Sequence, residues 1–181
     1  MTLEEKAKKI KLVVLDVDGV LTDGQIITSS QGELCKHFNV KDGLGIKLMI
    51  AAGIDVVIIT GRRSAIVGAR LRELGVRDVL QGQINKKRAF LDLIKSRRLE
   101  ASECACMGDD VPDLPVMQLC GLPCAPSDAV QAVLSQAAFV SSRKGGFGAV
   151  REMAEAILKA QGKWDQLLDK IYFNPEPSRF R

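Results

Sequence analysis

Hydrophobic positions fall in short blocks that switch between two spacings. Leu12-Val13-Val14-Leu15 is unbroken, and Asp55 to Thr60 repeats the pattern through Val56, Val57, Ile58 and Ile59. Apolar runs of this length without polar alternates read as strands buried on both faces, as in a parallel sheet. Shorter blocks at Val79-Leu80, Cys104 to Met107, Leu122 to Ala125 and Phe139-Val140 predict further strands. Between the strands the apolar spacing shifts to three and four. Helices are predicted over Val40 to Ala52 with Gly53 as a stop, Ser64 to Leu74 before Gly75, and Lys86 to Lys95. Three more are predicted over Val111 to Cys120, with Pro112 in the first turn, Asp128 to Leu134, and Gly148 to Gln161. Gly24 to Phe38 alternates around Ser29-Ser30-Gln31-Gly32, which predicts a hairpin. The alternation of strand and helix argues for a layered α/β fold around a central parallel sheet. One domain over 1–165 is expected, with the hairpin at about 24–38 and a tail over 166–181.

Composition narrows the classes. Hydrophobic residues are 46% of 181, enough for a core, and the net charge is only +4. A nucleic-acid surface would show concentrated basic residues among aromatics, and aromatics are 4%. No nucleic-acid partner is expected. The charged stretch Met1 to Lys11 before a short apolar run predicts neither a signal peptide nor a membrane span. Five cysteines at 35, 104, 106, 120 and 124 match no zinc spacing, and His37 is the single histidine. They are read as free thiols, which suits a cytoplasmic protein.

Chemistry concentrates where predicted strands end. Open α/β sheets bind ligands outside the carboxyl ends of their strands. Asp16 and Asp18 end the first strand, Thr60 ends the second, and Asp109, Asp110 and Asp113 follow Cys104 to Met107. Two carboxylates this close call for a cation or a shared proton. Lys86, or its neighbour Lys87, opens an intervening helix. Phosphoryl transfer needs a nucleophile, an acid/base, a divalent cation and donors around phosphate oxygens, which this set supplies. The Gly61 amide near a helix start suits an anion.

The motifs together resemble the haloacid dehalogenase superfamily of phosphatases. The first is Asp16-Val17-Asp18-Gly19-Val20-Leu21-Thr22-Asp23, and the second is Ile58-Ile59-Thr60-Gly61-Arg62. The third is Lys86, within a QGQINK string that favours it over Lys87. The fourth is Gly108-Asp109-Asp110-Val111-Pro112-Asp113. The resemblance implies a Rossmann-like three-layer sandwich. It makes Asp16 the nucleophile, Asp18 the acid/base, and Thr60 and Lys86 the phosphoryl-holding catalytic groups. It implies Mg²⁺ held by Asp16, the Asp18 backbone carbonyl and Asp109, with Asp110 and Asp113 in support. Further strings, HFNVKDGLGIKLM and GGFGAVREMAEAILKAQGKWD among them, resemble the small branch that lacks a cap domain.

That branch implies a small sugar-acid phosphate substrate, eight-carbon or, alternatively, nine-carbon and sialic-like. Asp42, Gly61, Arg62 and Arg70 would be substrate contacts. It also implies a homotetramer whose hairpins and tails complete neighbouring sites. Lys41 and Phe147 stand where relatives often carry arginine and a basic residue. Two other classes fit less well. A receiver domain lacks an acid/base two residues past its phosphorylated aspartate. A non-catalytic oligomerisation module would not need the intact acidic set. His37 and Asp23 are read as hairpin-surface and loop-ordering residues.

Overall fold

The computed structural model describes residues 1–174. Eight strands form: β1 Leu12–Leu15, β2 Ile27–Ser29, β3 Gly32–Cys35, β4 Asp55–Thr60, β5 Asp78–Gln81, β6 Cys104–Met107, β7 Leu122–Ala125 and β8 Phe139–Val140. Eight α-helices accompany them: α1 Leu3–Ala7, α2 Val40–Ala51, α3 Ala65–Glu73, α4 Lys86–Arg97, α5 Leu114–Met117, α6 Gln131–Leu134, α7 Ala149–Ala160 and α8 Trp164–Leu168. Six strands make one parallel sheet in the order β5-β4-β1-β6-β7-β8. The order runs outward from β1 in both directions, so a crevice opens at the carboxyl ends of β1, β4 and β6.

β1 explains the layering. Its four residues are all buried, and successive side chains point to opposite faces. Val13 and Leu15 join a core with residues of α1, α2, α3 and α7. Leu12 and Val14 join a second core with residues of α4, α5 and α6. Burying each of these side chains contributes about 1.5–3 kcal/mol. Register levels the strand ends: Leu15 pairs with Ile58 on one side and Met107 on the other. The residues that follow therefore emerge together.

Boundaries differ from the sequence reading in three places. The predicted helix Val111 to Cys120 is a 3-10 turn at Val111–Asp113 followed by the short α5, because Asp110 caps the turn and Pro112 and Pro115 favour early positions. The α-helix expected from Asp128 begins only at Gln131. The expected tail at 166–181 is helical through Phe173, and Leu167 is buried in the larger core. Residues 175–181 of that tail lie outside the described residues. The hairpin is β2 paired antiparallel with β3. No helix among the described residues is long and apolar enough to cross a membrane. Cys104, Cys106, Cys120 and Cys124 are buried and Cys35 half-buried, all as free thiols.

Asp42 shows how α2 and α7 are joined. It is 1% exposed. Its carboxylate accepts the Gly148 and Arg151 backbone N–H groups at 3.0 and 2.9 Å. These are orphan donors at the start of α7, whose own cap, Gly148, has no side chain to offer. Asp42→Asn is expected to lower unfolding free energy by about 1–3 kcal/mol, because an amide nitrogen would face a backbone donor. Urea unfolding measures this, and an unchanged midpoint would refute the capping role.

Candidate active site

Asp16, Asp18, Thr60, Gly61, Arg62, Lys86, Asp109, Asp110 and Asp113 line one pocket of about 340 Å³ at the crevice. The loop after β1 holds its form through Thr22, whose hydroxyl donates to the Val17 carbonyl and accepts the Gly24 N–H. Gly19 adopts φ +88°, and a Cβ there would lie 2.0 Å from Asp109 Oδ2. Only glycine allows this loop and the Asp109 side chain to meet. From the far side the 145–146 turn closes on the same loop. A Cβ at Gly145 would fall 1.7 Å from the Gly19 carbonyl oxygen.

Lys86 sits at the start of α4, behind the Asn85 cap. Its ammonium donates to Asp113 Oδ1 at 2.7 Å and stands 3.0 Å from Asp16 Oδ1. Burial works to lower its pKa, but Asp16 and Asp113 outweigh that and raise it, so the site keeps a cation. Lys87 is exposed and does not line the pocket. Asp113 Oδ2 accepts the Asp109 and Asp110 N–H groups at 3.1 and 3.4 Å. Both Asp113 oxygens are thus engaged, and it serves as an anchor for Lys86 and for the Asp109 loop.

Asp109 is different. Its Oδ1 is buried and has no hydrogen-bond partner among the described residues. Ligand-capable oxygens of Asp16, Asp109 and Asp113 lie within 4.8 Å of one another. Burial, then the charges of Asp16, Asp113 and Asp110, push the Asp109 carboxyl up to about 7. Burial and Asp113 push Asp16 up to about 6 against the opposing pull of Lys86. A buried carboxylate oxygen without a donor, among acidic groups that resist ionisation, fits a hard divalent cation with oxygen ligands.

Asp18 belongs to a second charge network. Lys36, just past β3, pairs with Asp18 Oδ1 and lies 3.2 Å from Glu33 Oε1. Glu33 accepts from the Ser64 hydroxyl ahead of α3. Arg62 Nε approaches Asp18 Oδ2 only to 3.8 Å. Lys36 and Glu33 escaped the sequence reading, since two charged residues in an exposed hairpin give no signal by themselves. His37 is on the hairpin surface beside Asp23, at 3.4 Å. Asp23 also accepts the Gln25 N–H, ordering the loop.

Two expected substrate contacts are not brought to the pocket. Asp42 is turned inward to cap α7. Arg70 packs its guanidinium against Gly43 and pairs with Glu73 at 2.8 Å. Neither lines the pocket at the strand ends. Gly61 and Arg62 do line the pocket.

Comparison with known proteins gives a consistent picture. Residues 73–152 match the haloacid dehalogenase-like hydrolase family. The chain is 45% identical over 161 residues to 3-deoxy-D-manno-octulosonate 8-phosphate phosphatase KdsC of Escherichia coli K12, covering 89% of this chain and 86% of that protein. The crystal structure of the Yersinia pestis 3-deoxy-D-manno-octulosonate 8-phosphate phosphatase superposes with a TM-score of 0.88 at 43% identity, over 90% of this chain and 88% of that one. The Moraxella catarrhalis phosphatase, solved with magnesium, phosphate and KDO, has a TM-score of 0.90 at 42% identity, over 93% and 97%.

Proposed function

We infer, since the chain belongs to the haloacid dehalogenase-like hydrolases and within them to the family of 3-deoxy-D-manno-octulosonate 8-phosphate (KDO 8-phosphate) phosphatases, that it is a phosphoric monoester hydrolase releasing KDO and phosphate from KDO 8-phosphate. One observation carries this reading: four motifs far apart in the chain deliver Asp16, Asp18, Thr60, Lys86 and Asp109 to a single pocket.

Asp16 attacks phosphorus, and a P–O bond forms as the bond to the sugar oxygen breaks. Asp18 gives its proton to that departing oxygen. It then takes a proton from water, which attacks the aspartyl-phosphate and frees Asp16 and phosphate. Lys86, the Thr60 hydroxyl and the Gly61 amide hold the phosphoryl oxygens, and Arg62 at the rim offers a guanidinium to the sugar-acid carboxylate. The cofactor is Mg²⁺, consistent with its presence in the Moraxella complex. Asp16, Asp109 and the Asp18 backbone carbonyl would hold it, and it would supply charge neutralisation among the carboxylates and the phosphate.

The same reading extends to assembly and place. Ile26 and Leu34 on the hairpin, Val40 at the start of α2, and Phe147 are exposed apolar residues. They support a homotetramer whose subunits border one another's sites. Free buried thiols support a cytoplasmic location, where KDO release would feed lipopolysaccharide synthesis.

A panel of phosphorylated sugars and sugar acids, assayed with Mg²⁺ and again after chelation, tests the activity. KDO 8-phosphate is expected to exceed nine-carbon sialic-type phosphates by at least about tenfold in kcat/KM, with turnover lost on chelation. Faster turnover of the nine-carbon substrate would overturn the assignment.

A further inference from the structure

The two aspartates of the first motif are served by different lysines. Asp16 has Lys86, from α4 in the body of the domain. Asp18 has Lys36, from the hairpin. The Lys36 side chain is only 2% exposed, although the hairpin around it is mostly solvated. An ammonium removed from water is stable only when paired, and its partners are Asp18 and Glu33. Glu33 is tied in turn to Ser64 beside α3. Lys36 is therefore gripped from two sides, and its direction is set before any substrate arrives.

The pairing divides the Asp18 carboxylate. Oδ1 carries the Lys36 contact. Among the described residues Oδ2 has only Arg62 Nε at 3.8 Å, beyond hydrogen-bond length. We propose that Lys36 is a positioning residue for the general acid/base. By holding Oδ1 it fixes the Asp18 rotamer and leaves Oδ2 as the oxygen that exchanges a proton with the reacting groups. In the first step the Oδ2 proton passes to the sugar oxygen as its bond to phosphorus breaks and the Asp16–phosphorus bond forms. This deepens the phosphatase reading and rests on it.

Leaving-group dependence tests the proposal. The sugar alkoxide of KDO 8-phosphate must be protonated to depart, whereas p-nitrophenolate leaves without a proton. In Lys36→Met, the first-turnover rate on KDO 8-phosphate is expected to fall about 100-fold. The p-nitrophenolate burst from p-nitrophenyl phosphate should stay within about threefold of wild type. Lys36→Arg, which keeps a cation at the same place, should recover most of the loss. Glu33→Gln frees one side of Lys36 and should show the same substrate-dependent split at about three- to tenfold, a measurement that stands even if Lys36→Met folds poorly. Equal losses on both substrates would overturn the proposal, as would an increase in KM with unchanged kcat, which would place Lys36 on the substrate. Absence of Mg²⁺-dependent KDO 8-phosphate turnover in the wild-type enzyme would overturn the phosphatase reading itself. Wild-type turnover with no split in either variant would overturn only the role of Lys36.

Discussion

Asp16→Asn is expected to lower phosphate release by at least about 10⁴-fold while the protein remains folded. The amide that replaces the carboxylate is a far poorer nucleophile toward phosphorus, and no other pocket carboxylate can stand in. Asp113 is held by Lys86 and two backbone N–H groups, Asp110 accepts the Val111 N–H, Asp109 would hold the metal, and Asp18 would serve as the acid/base with Oδ1 held by Lys36. Stability should hold or rise slightly without metal, because the substitution removes one charge from a crowded acidic group. Single-turnover assays with a thermal melt check both halves. Retained turnover would remove Asp16 from the nucleophile role. A collapsed melting temperature would mean that the side chain is needed for folding.

Magnesium is expected to stabilise the protein far more at pH 8 than at pH 5. Asp16 and Asp109 have folded-state pKa values near 6 and 7, above an ordinary value of 3.8. Without metal, the folded state therefore binds more protons than the unfolded chain between about pH 4 and pH 7. Stability is lost as the pH rises through that window. A divalent cation competes with those protons, so its gain grows as they leave. At a hundred times its dissociation constant, Mg²⁺ stabilises by about 2.7 kcal/mol. For a chain of this size that is a melting shift of roughly 5–10 °C. Thermal melts with Mg²⁺ and with chelator at both pH values measure it. Equal shifts at pH 5 and pH 8 would show that these carboxylates are not where the ion binds.

The sheet was legible because its strands are continuous apolar blocks, and β1 and β4 in particular have no competing helical reading. The residues that crown those strands were legible for the same reason: a polar residue directly after a buried strand has few places to go. Asp42 and Arg70, offered as substrate contacts by the resemblance alone, lie outside the pocket, because sequence position on a helix does not say which neighbour the helix faces. The identity of the Asp42 partners depends on where α7 docks, and α7 lies more than 100 residues further along, as the Gly148 contact shows. Lys36 was invisible for a related reason. A lysine in a polar hairpin resembles every solvated lysine until the hairpin folds back over the pocket. The helix length near Pro112 was overestimated because the Asp110 cap and the proline, rather than apolar spacing, decide how the turn begins there.

The contact between Gly145 and the Gly19 carbonyl also bears on how the protein is made. The turn that braces the loop after Asp16 comes from the last quarter of the polypeptide, and the Gly146 N–H donates to the Val20 carbonyl there at 2.9 Å. A nascent chain still held in the ribosomal tunnel up to that turn has both aspartates of the first motif but nothing to press them into shape. The shape of the pocket therefore arrives late in synthesis, as a property of the finished molecule rather than of the early segment that carries Asp16 and Asp18.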